Sequence, residues 1–271
     1  MSKSNHLKFG LIGCGAIGTA IAQAILSGKI PGKLAAIYDQ DRIQAKNLSS
    51  RFGIKLSILP LAKLVGKVDF LIEAASTKAV PEVLREAIKQ KKDLLIMSVG
   101  GLLENLGLLE KISARGIKIY LPSGAIAGLD GIKSAAVGRI DRLTLTTRKP
   151  PESLANSAYF RENKIDWKKI KKPELVFQGD AQSAVKSFPA NINVAATLSL
   201  AVPGNKLQVK IIADPAIKRN IHEITVKGGF GEMLVRVENV PSKENPKTSQ
   251  LAIFAAIASL QQITKNIHIG G

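Results

Sequence analysis

Short apolar runs alternate with helical patterns through the first 125 residues of the chain. Leu7–Ile12 reads as a buried strand and Ile17–Ser27 as a helix. Leu34–Tyr38 follows as a second strand, then a helix from about Arg42 to Phe52. A short strand near Leu56–Ile58 is expected ahead of a polar helix. Phe70–Glu73 is strand-like and Ala79–Gln90 helical, while Leu94–Ser98 and Ile117–Tyr120 extend the series. Strands that are apolar almost throughout are buried on both faces, as in a parallel sheet covered by helices. This region is predicted to be a doubly wound α/β domain.

The rhythm changes near Pro122. Arg142–Arg148 (with LTLTT between basic residues), Leu207–Ala213, Glu223–Lys227 and Met233–Val237 follow one another with fewer helices between them. Such spacing predicts an antiparallel or mixed sheet in a second α/β domain. Asn191–Ala201 reads as a helix, and the Pro-, Lys- and Asn-rich stretch Pro150–Pro173 as a surface excursion. After Asn245–Pro246, Ser249–Ile263 reads as a capped apolar helix whose long apolar face needs a partner, which the first domain could supply. The expected division is 1–124 with 246–271, and 125–245.

With 271 residues, 45% hydrophobic and 22% charged, the chain has the composition of a globular protein and not of a collagen-like, disordered or disulfide-framework one. Aromatics are only 4%, so the core is aliphatic. The single cysteine, Cys14, excludes an intrachain disulfide and argues against a cysteine-based zinc site; no metal is expected. No secretory signal is visible, and the apolar runs near Val194–Pro203 and Leu251–Leu260 span about half of what a bilayer demands. A cytoplasmic protein is expected. The formal charge of +18 would attract polyanions, which keeps nucleic acid among the conceivable partners. The basic residues are dispersed, however, and no nucleic-acid-binding motif accompanies them, so a solvated basic surface is the favoured reading.

Gly13-Cys14-Gly15-Ala16-Ile17-Gly18 fits G-x-G-x-x-G, directly after a strand and opening a helix. In that context Gly13 permits a tight turn, Gly15 lets a pyrophosphate approach the backbone, and Gly18 lets helix and strand pack closely. The helix start, with Ala16 and Ile17, supplies amide donors. Asp39 closes the next strand about 20 residues on, where a carboxylate can accept from the adenosine ribose hydroxyls and repel a 2′-phosphate. The reading is a Rossmann-type dinucleotide site preferring NAD, with Arg42 close enough to tolerate NADP. Asp39 could instead cap the following helix. Cys14, at a helix start where thiol pKa values fall, reads as a small packing residue. Glu73-Ala74-Ala75-Ser76 and Ser98-Val99-Gly100-Gly101 end two further strands, so Ala75 and Ser76 become cofactor candidates unless these are ordinary turns.

Of three histidines, His6 and His268 lie in the tails, leaving His222 at the start of a β-like run. Neutral imidazole is a natural proton acceptor when an amine or alcohol is oxidised by hydride loss. Asp214 could orient the site or cap the turn before Pro215. Lys218 and Arg219 could meet a substrate carboxylate or be plain solvated charge. Asn191 and Asn193 could cap a helix and form a turn, or hydrogen-bond the nicotinamide amide.

Taken in order, GLIGCGAIG, IYDQD, EAAS, SVGG, LPSGAIAGLDG, RKPP, FPANINVAATLSLA, ADPAIKRNIHEI and ENPKTSQLAIFAAI resemble the L-aspartate dehydrogenase family across nearly the whole chain. The NINVAA and ADP…NIHEI segments are the most specific. The resemblance implies NAD(P)-dependent oxidation of L-aspartate to iminoaspartate, which hydrolyses to oxaloacetate and ammonia, feeding NAD biosynthesis. It also implies a Rossmann domain joined to a mixed α/β substrate and dimerisation domain, in a homodimer. The family's catalytic histidine falls on His222, its nicotinamide-contacting alanine on Ala125 and its cofactor-binding asparagine on Asn193. The irregular Pro150–Pro173 stretch makes Asn191 the fallback; Asn191 and Lys218 are the substrate-side candidates. The loop Val202–Leu207 looks shortened. Competing readings are a dihydrodipicolinate-reductase-like or homoserine-dehydrogenase-like oxidoreductase, against which NINVAA and NIHEI argue, and a NAD-sensing nucleic-acid-binding protein.

Overall fold

The computed structural model describes residues 7–188, 193–204, 206–246 and 248–269. The chain divides into two compact units, Met1–Pro122 with Ile253–His268, and Ser123–Ala252 with Ile269–Gly271.

In the first unit β1 (Lys8–Ile12), α1 (Ala16–Leu26), β2 (Lys33–Tyr38), α2 (Arg42–Arg51), α3 (Leu61–Lys67), β3 (Phe70–Glu73), α4 (Val80–Gln90), β4 (Asp93–Ile96), α5 (Gly100–Leu103), α6 (Leu106–Ala114) and β5 (Ile119–Tyr120) succeed one another. The sheet is parallel in the order β2-β1-β3-β4-β5. All four residues of β3 are buried, as the unbroken apolar run required. In α4 the buried Val80, Val83, Leu84 and Ala87 recur at helical spacing and form one stripe. The strand expected near Leu56–Ile58 is instead a single bridge between Ile37 and Ile58. Pro60 caps the next helix two residues later and leaves a strand no room. That helix, α3, is not polar throughout: it buries Leu61, Leu64 and Val65.

The second unit holds α7 (Leu129–Ala136), β6 (Ile140–Lys149), α8 (Pro151–Leu154), α9 (Ala158–Glu162), β7 (Glu174–Gly179), α10 (Ala181–Ser187), α11 (Asn193–Ala201), β8 (Leu207–Ala213), β9 (Asn220–Gly228) and β10 (Gly231–Asn239). Its sheet runs β10-β9-β6-β8-β7 and is mixed: β6 and β8 are parallel, the other pairs antiparallel. Along the central β6 the buried positions are Leu143, Leu145, Thr147 and Lys149, a period of two. β7 is absent from the sequence reading because a register shift between Leu175 and Phe177 breaks its alternation, leaving Leu175 exposed and Val176 and Phe177 both buried. Pro150–Pro173 is not simply a surface excursion. It carries α8 and α9, buries Leu154 and Phe160, and sets the Tyr159 ring 5.5 Å from that of Phe177 and 5.3 Å from that of Phe188.

The final helix, α12 (Gln250–Ile263), buries Ile253, Ala256 and Leu260. Ala256 and Leu260 belong to the same core as Phe9, Ile21, Ile25 and Phe70, and Gln261 donates to the Lys29 carbonyl at 2.9 Å. The first sheet is therefore completed by the last helix of the chain. Leu260→Ala should cost about 2–5 kcal/mol of stability in chemical denaturation. A loss well below about 1 kcal/mol would mean that α12 is peripheral to this core.

Candidate active site

The glycine loop is built by close approach. Gly13 has φ +99°, in the left-handed region, and a Cβ there would strike the Ala74–Ala75 backbone. A Cβ on Gly18 would collide with the Gly13 carbonyl oxygen, so only glycine lets α1 start this near β1. Above Gly15 there is open space, and no side chain caps the first turn of α1. A pocket of about 360 Å³ opens there, lined by Gly13, Gly15, Asp39, Ala75 and Ser76 among others. Ala16, Ile17 and Gly18 lie in the first turn of α1 beside it. A second pocket, about 290 Å³, adjoins Asp39 and includes Arg42 and Ile58. A cradle left open over one glycine, with bare amides and a carboxylate at the next strand end, fits a dinucleotide.

Asp39 does not cap α2; Asp41 does, accepting from Ile43 N at 2.8 Å. The Asp39 carboxylate accepts from Cys14 N at 2.7 Å and from Asp41 N at 2.9 Å, which fixes its position against the glycine loop. The expected lowering of the Cys14 pKa does not occur: burial, with Asp39 second, pushes the thiol up to about 12. It is a packing residue.

Glu73 is completely buried at the end of β3. One carboxylate oxygen accepts from Ala75 N and Ser98 Oγ, each at 2.8 Å, and the other from Ser98 N at 2.9 Å and Met97 N at 3.2 Å. Burial raises its pKa, while these donors pull it back down. The turns after β3 and β4 are thereby tied to one side chain. Sequence reasoning found both turns but not this link.

In the second unit His222 faces Thr147 across the β9–β6 pair, and its Nδ1 lies 3.0 Å from Thr147 Oγ1 in a buried hydrogen bond. Lys149 stands two residues further along β6, on the same face and only 6% exposed. Burial, with the charge of Lys149 second, pushes His222 down to about 3, so the imidazole is neutral near pH 7. Burial likewise lowers Lys149 to about 8. Thr147 and Lys149 escaped the sequence reading, although the alternation Leu143-Leu145-Thr147-Lys149 already placed both on the inward face.

Residues 13–122 match the family described as homoserine dehydrogenase, NAD binding domain, and residues 130–263 the one described as aspartate dehydrogenase, C-terminal. The L-aspartate dehydrogenase of Methanocella arvoryzae is 46% identical over 97% of this chain and 99% of its own length. The chain belongs to the L-aspartate dehydrogenase family. The enzyme of that name from Methanocaldococcus jannaschii is 43% identical over 97% of this chain and 99% of its own length. The crystal structure of aspartate dehydrogenase from Thermotoga maritima superposes with a TM-score of 0.74 at 25% identity, covering 98% of this chain and 100% of that one.

Among the positions carried over from aspartate dehydrogenases, Ala125 is half-buried, and its carbonyl accepts from Asn239 Nδ2 at 3.0 Å. Asn193 is the exposed first residue of α11. Asn191 lies outside the described residues, as does His6. Lys218 and Arg219 are exposed in the turn between β8 and β9. Asp214 serves that turn, accepting from Ala216 N at 3.0 Å and lying 3.7 Å from Arg148.

A folded pKa below the unfolded value makes His222 stabilising above about pH 6.5, and this contribution is lost as pH falls towards 3. Wild type should lose stability relative to His222→Gln by about 1.4 kcal/mol per pH unit across that window. Denaturation curves at pH 7, 5.5 and 4 read the difference. Parallel pH profiles would show that His222 titrates normally in the fold.

Proposed function

We propose that this protein oxidises L-aspartate to iminoaspartate with NAD, accepting NADP less well, and so supplies NAD biosynthesis. The observation that carries the reading is the neutral imidazole of His222, held by Thr147 on a rigid strand in a chain of this family. In the tautomer whose Nδ1–H donates to Thr147 Oγ1, Nε2 carries the lone pair and is the nitrogen that takes the proton. It accepts from the substrate ammonium, so that the nitrogen lone pair can form the C=N bond as the Cα hydrogen departs with its electrons. A bound nicotinamide supplies the acceptor for that hydride.

The chain's own residues divide the remaining work. Gly13, Gly15 and Gly18, with the amides of Ala16 and Ile17, hold the pyrophosphate, and Asp39 takes the adenosine ribose. Its charge disfavours a 2′-phosphate, and the nearby Arg42 softens that preference. Ala75 and Ser76 border the cofactor, and Ala125 and Asn193 meet the nicotinamide. Asn191 and Lys218 are held as substrate-side positions on the sequence reading alone. Family likeness also supports a homodimer working in the cytoplasm, and among the described residues no helix is long and apolar enough to cross a membrane.

The test is nicotinamide absorbance with L-aspartate, D-aspartate, L-glutamate and L-homoserine, each with NAD and with NADP. Reduction with L-aspartate alone, faster with NAD, is expected. His222→Ala should then lower kcat about 10²- to 10⁴-fold while cofactor affinity stays unchanged. Reduction with L-homoserine in place of L-aspartate would overturn the substrate, and an undiminished kcat the role of His222.

A further inference from the structure

We propose that Glu73 is a positioning residue for the cofactor, holding the Ala75–Ser76 wall of the dinucleotide pocket from behind while wholly buried itself. The proposal rests on the cofactor reading above and extends it to a residue that does not line the pocket. Three strand-end segments interlock here. A Cβ on Gly13 would lie 2.5 Å from the Ala74 carbonyl group, so the glycine loop rests directly on the Ala74–Ala75 peptide. A Cβ on Gly101 in α5, just beyond β4, would lie 2.7 Å from the Thr77 carbonyl oxygen. The Glu73 side chain joins the segments from inside, one oxygen accepting from Ala75 N and the other from Met97 N and Ser98 N.

Ala75 and Ser76 are exposed, so burial of their side chains does not fix the wall. Backbone bonds do: Ala75 N donates to Glu73 at 2.8 Å, and the Ser76 carbonyl accepts from Ala79 N at 3.0 Å. The junction requires an acceptor at both carboxylate oxygens. In a glutamine of the same shape one oxygen becomes an NH2 group. That group faces either the Ala75 N–H, or the two N–H groups of Met97 and Ser98. The first orientation loses one backbone bond and the second two. In the first, Ser98 Oγ can also turn to accept from the amide. Glu73→Gln therefore breaks the tie to Ala75 and spares the tie to β4. A wall in place for only part of the time lowers cofactor affinity in proportion.

The experiment titrates NADH into wild type, Glu73→Gln and Ser98→Ala by calorimetry. KM for NAD, KM for L-aspartate, thermal melting and hydrogen exchange of the cofactor-free protein are measured alongside. Glu73→Gln should weaken NADH and raise KM for NAD by about ten-fold, with KM for L-aspartate moving less than about two-fold. Exchange should quicken across residues 74–78 and stay unchanged across β4. Ser98→Ala leaves the oxygen that holds Ala75 without the hydroxyl that orients it, and Ser98 does not line the pocket. That variant should weaken NADH by about three-fold, and it decides the matter should the glutamine variant not fold. Wild type that binds NADH and turns over L-aspartate, with both variants binding NADH as tightly, overturns the role of Glu73 alone. So does a lowered melting temperature with unchanged KM for NAD, the mark of a purely structural role. Wild type that binds no NADH overturns the cofactor reading and the role of Glu73 with it.

Discussion

A polar group can lie inside an apolar sheet only where something pairs with it, and both units of this chain meet that constraint at the end of a strand. In the first, Glu73 is surrounded by four donors from the turns after β3 and β4. These bonds hold the Ala75–Ser76 turn against the glycine loop, whose Gly13 leaves no space for a side chain. In the second, Thr147 holds the imidazole of His222, with Lys149 on the same face. Each cluster stiffens a place where loops would otherwise be free. Each is also built of groups whose charge can respond to a ligand.

The two clusters meet burial with different partners. Burial raises the Glu73 pKa, and the four donors around its carboxylate pull the other way. His222 and Lys149 are both pushed towards their neutral forms. The imidazole is thereby kept unprotonated near pH 7. Both side chains lie on one sheet, whose alternating apolar residues Leu143 and Leu145 supply the framework.

Much of this was legible in the residues. Continuous apolar strands, the glycine loop and Asp39 specify the first sheet because each depends on local spacing alone. The NIHEI run likewise showed His222 on a strand. What escaped depends on partners distant in sequence. Glu73 gains its role from Ser98, and Thr147 from His222, 75 positions away. β7 was hidden by its register shift, and the packing of Leu154, Phe160 and Tyr159 by the lysines and prolines around them. The Cys14 pKa went opposite to the helix-start rule because burial and the nearby Asp39 outweigh the dipole. Local pattern thus reveals elements, whereas pairing between elements reveals chemistry.

The central claim is that the Cα hydrogen of L-aspartate leaves as hydride while His222 takes a separate proton. Turnover of L-aspartate deuterated at Cα, followed by mass spectrometry of the reduced nicotinamide, tests it most directly. One deuterium in each reduced nicotinamide is predicted. Reduced nicotinamide without deuterium, with the label lost to water, would contradict it.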